Sequence, residues 1–128
     1  MKRVLVIDDE VAVLRHFMVL LTQSQRYEIT VLSDSTRALE TVGAGKFDAV
    51  LLDMAMPGVH GREVLRGVRE HHPETAVIVI TGVEDSQLAV EAMQLGAFDY
   101  LYKPVGEDQL MLTLDRALEE CASGREAV

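Results

Sequence analysis

Short runs of Val, Ile and Leu alternate along this chain with segments whose apolar residues recur at helical spacing, and four of the runs stop on a residue suited to phosphate chemistry. Val4-Leu5-Val6-Ile7 leads into Asp8 and Asp9, Val50-Leu51-Leu52 into Asp53, Val77-Ile78-Val79-Ile80 into Thr81, and Tyr100-Leu101-Tyr102 into Lys103 and Pro104. Runs of this kind read as strands buried on both faces of a parallel sheet. All strands of an open parallel sheet end at one edge, and ligands bind in the crevice outside those carboxyl ends. Three carboxylates, a hydroxyl and an ammonium are therefore expected to meet at one place. Three acids so close raise one another's pKa unless a cation shares their charge. Mg²⁺, which takes one or two carboxylates, waters and a phosphate, suits such a set best.

Bulk properties narrow the classes. At 128 residues the chain is one domain of ordinary size, able to bury roughly two thirds of its unfolded surface without disulfides. The single Cys121 lies at a helical apolar spacing and reads as a buried thiol. One cysteine, a start that passes straight into a strand, and no run near the roughly 20 apolar residues of a membrane span lead us to expect a cytoplasmic, soluble protein without membrane contact. Net charge is −9 with a pI near 4.8, the wrong sign for a direct nucleic-acid footprint.

The elements follow from periodicity and caps. Strands are expected at 3–8, 27–32, 48–53, 76–80 and 99–102. Leu14, Phe17, Met18 and Leu21 share one helical face. Asp34-Ser35 supplies a cap for a short helix carrying Ala38, Leu39 and Val42, with Gly43 and Gly45 suited to end it. A loop with Pro57, Gly58 and Gly61 leads into a helix carrying Val64, Leu65 and Val68 that must stop before Pro73. Asp85 or Ser86 can cap the next helix, with Leu88, Ala92 and Leu95 inward and Gly96 at its end; the last begins at Glu107-Asp108 and turns Leu110, Leu114, Ala117, Leu118 and Cys121 inward. Five βα units with right-handed crossovers give an α/β, flavodoxin-like, doubly wound five-stranded parallel sheet of order 2-1-3-4-5 with five helices, its switch point beside Asp8 and Asp9.

AspAspGlu after the first strand, AspMetAlaMetProGly after the third, IleThrGly after the fourth, and GlyAlaPheAspTyrLeu with LysProVal around the fifth resemble the receiver domain of bacterial two-component response regulators. The likeness runs from Lys2 to about Glu120, with each motif at its expected distance from the others, and the TyrLeuTyrLysPro and ThrGlyXxxXxxAsp variants are similar to receivers of the large nitrogen-regulator-type activators. The resemblance implies a receiver domain over residues 1–121 and a C-terminal tail or linker start over 122–128. It implies that Asp53 is the phosphoacceptor, attacking a phosphohistidine on a sensor histidine kinase or phosphotransfer protein. Asp9 then binds Mg²⁺ directly, Asp8 through a water, and Asp53 with the backbone carbonyl of Ala55 completes the protein ligands. Lys103 neutralises charge, Thr81 bonds a phosphoryl oxygen, Gly82 leaves the group room to enter, and a cis bond before Pro104 aims the lysine inward. Tyr100 matches the aromatic that turns inward as Thr81 moves, switching a face formed by the fourth helix, fifth strand and fifth helix. That face implies a homodimer or an output partner, and an output domain if the chain continues.

Each residue taken singly has a plainer explanation. Asp8-Asp9 can be acids at a helix start, Asp53 with Pro57-Gly58 a strand end and turn, and Thr81-Gly82 and Lys103-Pro104 ordinary loop residues. Tyr100 can be an amphipathic strand residue with a wet hydroxyl. Their agreement at one sheet edge is what favours a site. His16, His60, His71 and His72 lack zinc spacing; His60 and Gly106 stand where receivers carry capping residues. Three other readings fit the fold class: a flavodoxin-like electron carrier, disfavoured by acids after the first strand; an aspartyl-phosphate hydrolase, disfavoured by Ala55 two residues after Asp53; and a phosphorylation-independent interaction module, disfavoured by the complete site set.

Overall fold

The computed structural model describes residues 1–54, 61–82 and 86–126, with side chains as far as Glu120. Strands β1 (Lys2–Ile7), β2 (Tyr27–Leu32), β3 (Ala49–Leu52), β4 (Ala76–Thr81) and β5 (Asp99–Tyr102) alternate with helices α1 (Val11–Gln23), α2 (Ala38–Gly45), α3 (Gly61–His71), α4 (Ser86–Gln94) and α5 (Glu107–Glu126). A 3-10 turn over Ser35–Arg37 precedes α2, capped by Asp34, whose carboxylate accepts from the Thr36 N–H at 3.0 Å. All pairings are parallel and the sheet order is β2-β1-β3-β4-β5, the order expected from the sequence.

Side-chain alternation divides the core between the two sheet faces. Val4, Val6, Leu51, Ile78, Ile80 and Leu101 pack with Leu14, Phe17 and Leu21 of α1 and with Leu110, Leu114 and Ala117 of α5. Leu5, Ile7, Val50, Leu52, Val77 and Val79 pack on the other face with Ala38 and Val42 of α2, Val64, Leu65 and Val68 of α3, and Ala92 of α4. Each fully buried Val, Leu or Ile contributes roughly 1.5–3 kcal/mol. β3 and β4 are buried at every residue and β1 over its last four, whereas β2 and β5 each bury one. The carboxyl ends of β1, β3 and β4 are thus the best-anchored points in the molecule.

Polar ties fix the periphery. Arg26 and Tyr27 at the start of β2 both bond Asp115 of α5: Arg26 Nη2 lies 2.6 Å and the Tyr27 hydroxyl 2.8 Å from Asp115 Oδ1. Arg62 Nε of α3 lies 2.5 Å from Glu91 Oε1 of α4. Gly61 brings α3 so close that a Cβ there would stand 2.6 Å from the Met54 Cα.

Several boundaries differ from expectation. Asp8 and Asp53 fall just past their strands, and β4 includes Thr81. α2 runs through Gly43 and Gly45, and the left-handed cap is taken by Lys46 (φ 53°). Gly45 is required instead by packing, since a Cβ there would run into the Phe47 ring. Leu39 is not a core residue: it is 44% exposed and lies over Gly67 of α3. Gly96, at φ 104°, does end α4. Pro57, Gly58, His60 and the Asp85 cap lie outside the described residues, as does the side chain of Cys121.

Candidate functional site

Strand register brings the site residues together. Ile7 pairs with Leu52, so Asp8 and Asp53 leave adjacent strands side by side. The Asp53 N–H donates to Ile7 O at 3.0 Å, the Asp8 N–H to Leu32 O at 3.2 Å, and the Lys103 N–H to Thr81 O at 2.8 Å, extending the sheet ladder by one step at each point. Asp8 continues the alternation of Val4 and Val6, Asp53 that of Leu51, and Lys103 that of Leu101, all on the α1–α5 face. Thr81 continues that of Val77 and Val79 on the opposite face, where Tyr100 packs against the core. One edge thus presents an ionic set on one side and a buried hydroxyl with an aromatic on the other.

Lys103 organises the ionic set. Its Nζ lies 2.6 Å from Asp8 Oδ2 and 3.5 Å from Asp53 Oδ2. Asp8 and Asp53 are 2% and 5% exposed, and buried charges of this kind are costly unless paired. Asp8 also accepts from the Glu10 N–H through Oδ1 at 2.9 Å. Burial, the largest single influence on Lys103, lowers its pKa; the hydrogen bond to Asp8 and the charges of Asp53, Asp8 and Glu10 together outweigh it and hold the ammonium above its ordinary value. The Lys103–Pro104 peptide bond is cis.

The carboxylate oxygens of Asp8, Asp9 and Glu10 all lie within 4.8 Å of one another. Hard oxygen donors so spaced, two of them solvent-facing, suit a hydrated divalent ion such as Mg²⁺. Asp53 joins this group through Lys103. The sequence resemblance puts Asp8, Asp9 and Asp53 around the ion and passes over Glu10, although its signal, a third consecutive acid at the sheet edge, is in plain view. No acid enters the first turn of α1, and its N-cap, Glu10, makes no side-chain cap. The Ala55 carbonyl lies outside the described residues. Gly82 is exposed, and no described residue lies within 4 Å of where a Cβ would stand. Tyr100 is half-buried and meets Tyr102 edge-on, with ring centroids 5.3 Å apart.

Among the described residues no helix is long and apolar enough to cross a membrane. Residues 4–115 match the family model of the response regulator receiver domain. The chain is 36% identical over 117 residues to the transcriptional regulatory protein ZraR of Klebsiella oxytoca, covering 90% of this chain but 26% of that protein. A response regulator receiver domain from Methanospirillum hungatei superposes with a TM-score of 0.91 at 26% identity, covering 97% of this chain and 98% of that one. The beryllofluoride-activated NtrC4 receiver domain dimer gives 0.88 at 32% identity, covering 94% and 99%. The chain spans about a quarter of the length of ZraR. The fold, its strand order and the matched residues agree: this chain belongs to the response regulator receiver domain family and is a receiver domain of two-component signalling.

Proposed function

We propose that the domain accepts a phosphoryl group on Asp53 from the phosphohistidine of a sensor histidine kinase or phosphotransfer protein. The observation that carries this reading is the Lys103 ammonium held between the buried carboxylates of Asp8 and Asp53 at the sheet edge. An Asp53 oxygen attacks phosphorus, the P–N bond breaks, and its electron pair returns to the imidazole, leaving an acyl phosphate on the domain. Such a transfer asks for alignment and charge neutralisation more than for acid–base work. Lys103 supplies a fixed positive charge beside Asp53, Gly82 leaves the approach open, and Thr81 offers a hydroxyl to a phosphoryl oxygen. Asp8, Asp9 and Asp53, with the Ala55 carbonyl, would hold Mg²⁺, and its charge would supply the remaining neutralisation. The same residues catalyse loss of the group to water.

The phosphoryl group then biases a two-state equilibrium in which Thr81 and Tyr100 reposition α4, β5 and α5. That face addresses a second receiver or an output domain in a longer chain, with residues 1–121 as the receiver and 122–128 as tail or linker. The cytoplasm, where the phosphodonor kinase domains reside, is the proposed location. The test is incubation with acetyl phosphate and Mg²⁺ followed by intact-mass measurement. One phosphoryl group is expected on the wild type and none on Asp53→Asn; equal labelling of both would place the acceptor elsewhere.

A further inference from the structure

Helix α4 is lightly held. Its only fully buried residue is Ala92, Leu88 and Leu95 are half-buried, and Val90 and Met93 are 56% and 47% exposed. Against this weak apolar attachment stands a directed polar one, the 2.5 Å contact between Arg62 Nε and Glu91 Oε1. Its two ends sit at telling places. Arg62 is the second residue of α3, the helix that follows Asp53 through residues 55–60, and Glu91 lies in α4, which follows Thr81 through residues 83–85. The pair therefore joins the helix downstream of the acceptor to the helix downstream of the threonine.

We infer that the Arg62–Glu91 ion pair is a latch that holds α4 in the arrangement belonging to the plain Asp53 carboxylate. The inference rests on the proposed phosphoryl switch. In the arrangement described, Asp53 is a carboxylate facing Lys103 and the pair is made. An ion pair across two helices is sensitive to their separation, so a shift of α4 away from α3 breaks it. An interaction present in one state and absent in the other sets the equilibrium between them by its full strength. Arg62 and Glu91 are partly exposed, with side chains 44% and 38% accessible, which limits the latch to roughly a two- to five-fold bias. Salt should weaken it.

The experiment uses Arg62→Ala, Glu91→Ala and the charge-exchanged Arg62→Glu/Glu91→Arg double variant. Two readouts are followed: the beryllium fluoride concentration that half-saturates the Mg²⁺-loaded protein, and hydrogen exchange of the α4 amides without the mimic. Each single variant should need roughly two- to five-fold less mimic and exchange its α4 amides faster by a similar factor, and the double variant should restore both. Unchanged or weaker mimic binding in the single variants, with α4 exchange unaltered, overturns the latch. A wild type that ignores the mimic would fail the phosphoryl-switch reading instead, and the exchange rates, which need no phosphate site, would then decide the latch alone.

Discussion

Lys103 Nζ lies 2.6 Å from Asp8 Oδ2, closer than the 3.5 Å that separates it from Asp53, the residue it is proposed to serve. The ammonium is thus anchored on a neighbouring acid while its charge remains felt at the acceptor. Anchoring on Asp8 leaves Asp53 less tightly held by Lys103, and a nucleophile fully engaged by an ammonium would have to break that pair before reacting.

Replacing Lys103 by Met should remove the cation that the buried Asp8 and Asp53 carboxylates share. We expect a loss of about 1–3 kcal/mol, below the 3–5 typical of a fully buried pair because the lysine retains some solvent, and partial recovery on adding Mg²⁺. The pH dependence has a definite sign. The folded-state pKa of Lys103 is raised above 10.5, so its contribution is fully present below that value and is lost as pH climbs through the folded value. Urea unfolding of wild type and variant should therefore show a constant difference at neutral pH that narrows only in strong alkali. A difference that closes on acidifying from pH 8 to pH 6 would contradict the assignment.

The metal prediction concerns Asp9, which is exposed and belongs to the acidic triplet with Asp8 and Glu10. Asp9→Ala should weaken Mg²⁺ binding markedly while leaving stability unchanged or improved, since removing one of three crowded acids relieves repulsion. Mg²⁺ titration followed through the backbone amide signals of residues 8–10 measures the first effect and thermal unfolding the second. An Asp9→Ala protein that titrates like wild type would take Asp9 out of the metal shell.

Far from this edge, Tyr27 provides an independent check on how α5 is fastened. Burial, followed by the hydrogen bond to Asp115 and its charge, pushes the Tyr27 hydroxyl up to about 12. The bond stabilises the fold below pH 10 and is lost as pH rises through the folded value. Tyr27 should ionise late in an ultraviolet titration, and Tyr27→Phe should delete that late step. A wild-type titration without that late step would show that the Tyr27–Asp115 contact does not persist in solution.

What the sequence could and could not foretell divides along physical lines. The sheet was legible because Val4 to Ile7, Val50 to Leu52 and Val77 to Ile80 are buried on both faces and carry no competing signal. The edge residues were legible for the same reason, since a parallel sheet leaves its strand ends nowhere else to go. Local cap chemistry was less so. Gly43 and Gly45 advertised a helix end, but the left-handed position fell to Lys46, and Gly45 answers to the Phe47 ring, a contact invisible in one dimension. Leu39 had the right spacing for the core, yet α3 presents Gly67 beneath it and leaves it half in water. Pairs such as Arg62–Glu91 and Tyr27–Asp115 are long-range and leave no periodic trace. Glu10 stood in plain view as a third consecutive acid, but the resemblance assigns the metal to Asp8, Asp9 and Asp53 and passes over it.

The lifetime of the phosphoryl group follows from two residues that lie outside the described ones. Ala55 and Val83 stand two positions beyond Asp53 and Thr81 in sequence, and neither side chain can hydrogen-bond a water. With neither side chain able to orient the attacking water, self-dephosphorylation should be slow. Val83→Glu, which adds an acceptor at the expected approach, should shorten the decay measured by phosphate release. Decay unchanged or slowed by the glutamate would sink the water-positioning argument.

The last prediction concerns association. Val90 and Met93 of α4 and Tyr102 of β5 are apolar or aromatic and exposed, and β5 is an edge strand of the sheet. Such groups stay in water at a cost that a matching surface can recover. If the phosphoryl state draws Tyr100 inward, its partner Tyr102, now 5.3 Å away edge-on, must repack and the face changes shape. Beryllium fluoride with Mg²⁺ should therefore shift the protein toward dimer in sedimentation. Val90→Asp should block the shift while leaving Asp53 phosphorylation intact, because Val90 is 56% exposed on α4 and contributes no group to the ionic set at the sheet edge. A monomer with and without the mimic, in a protein shown by mass to accept phosphate, would rule out self-association and leave the face to a different partner.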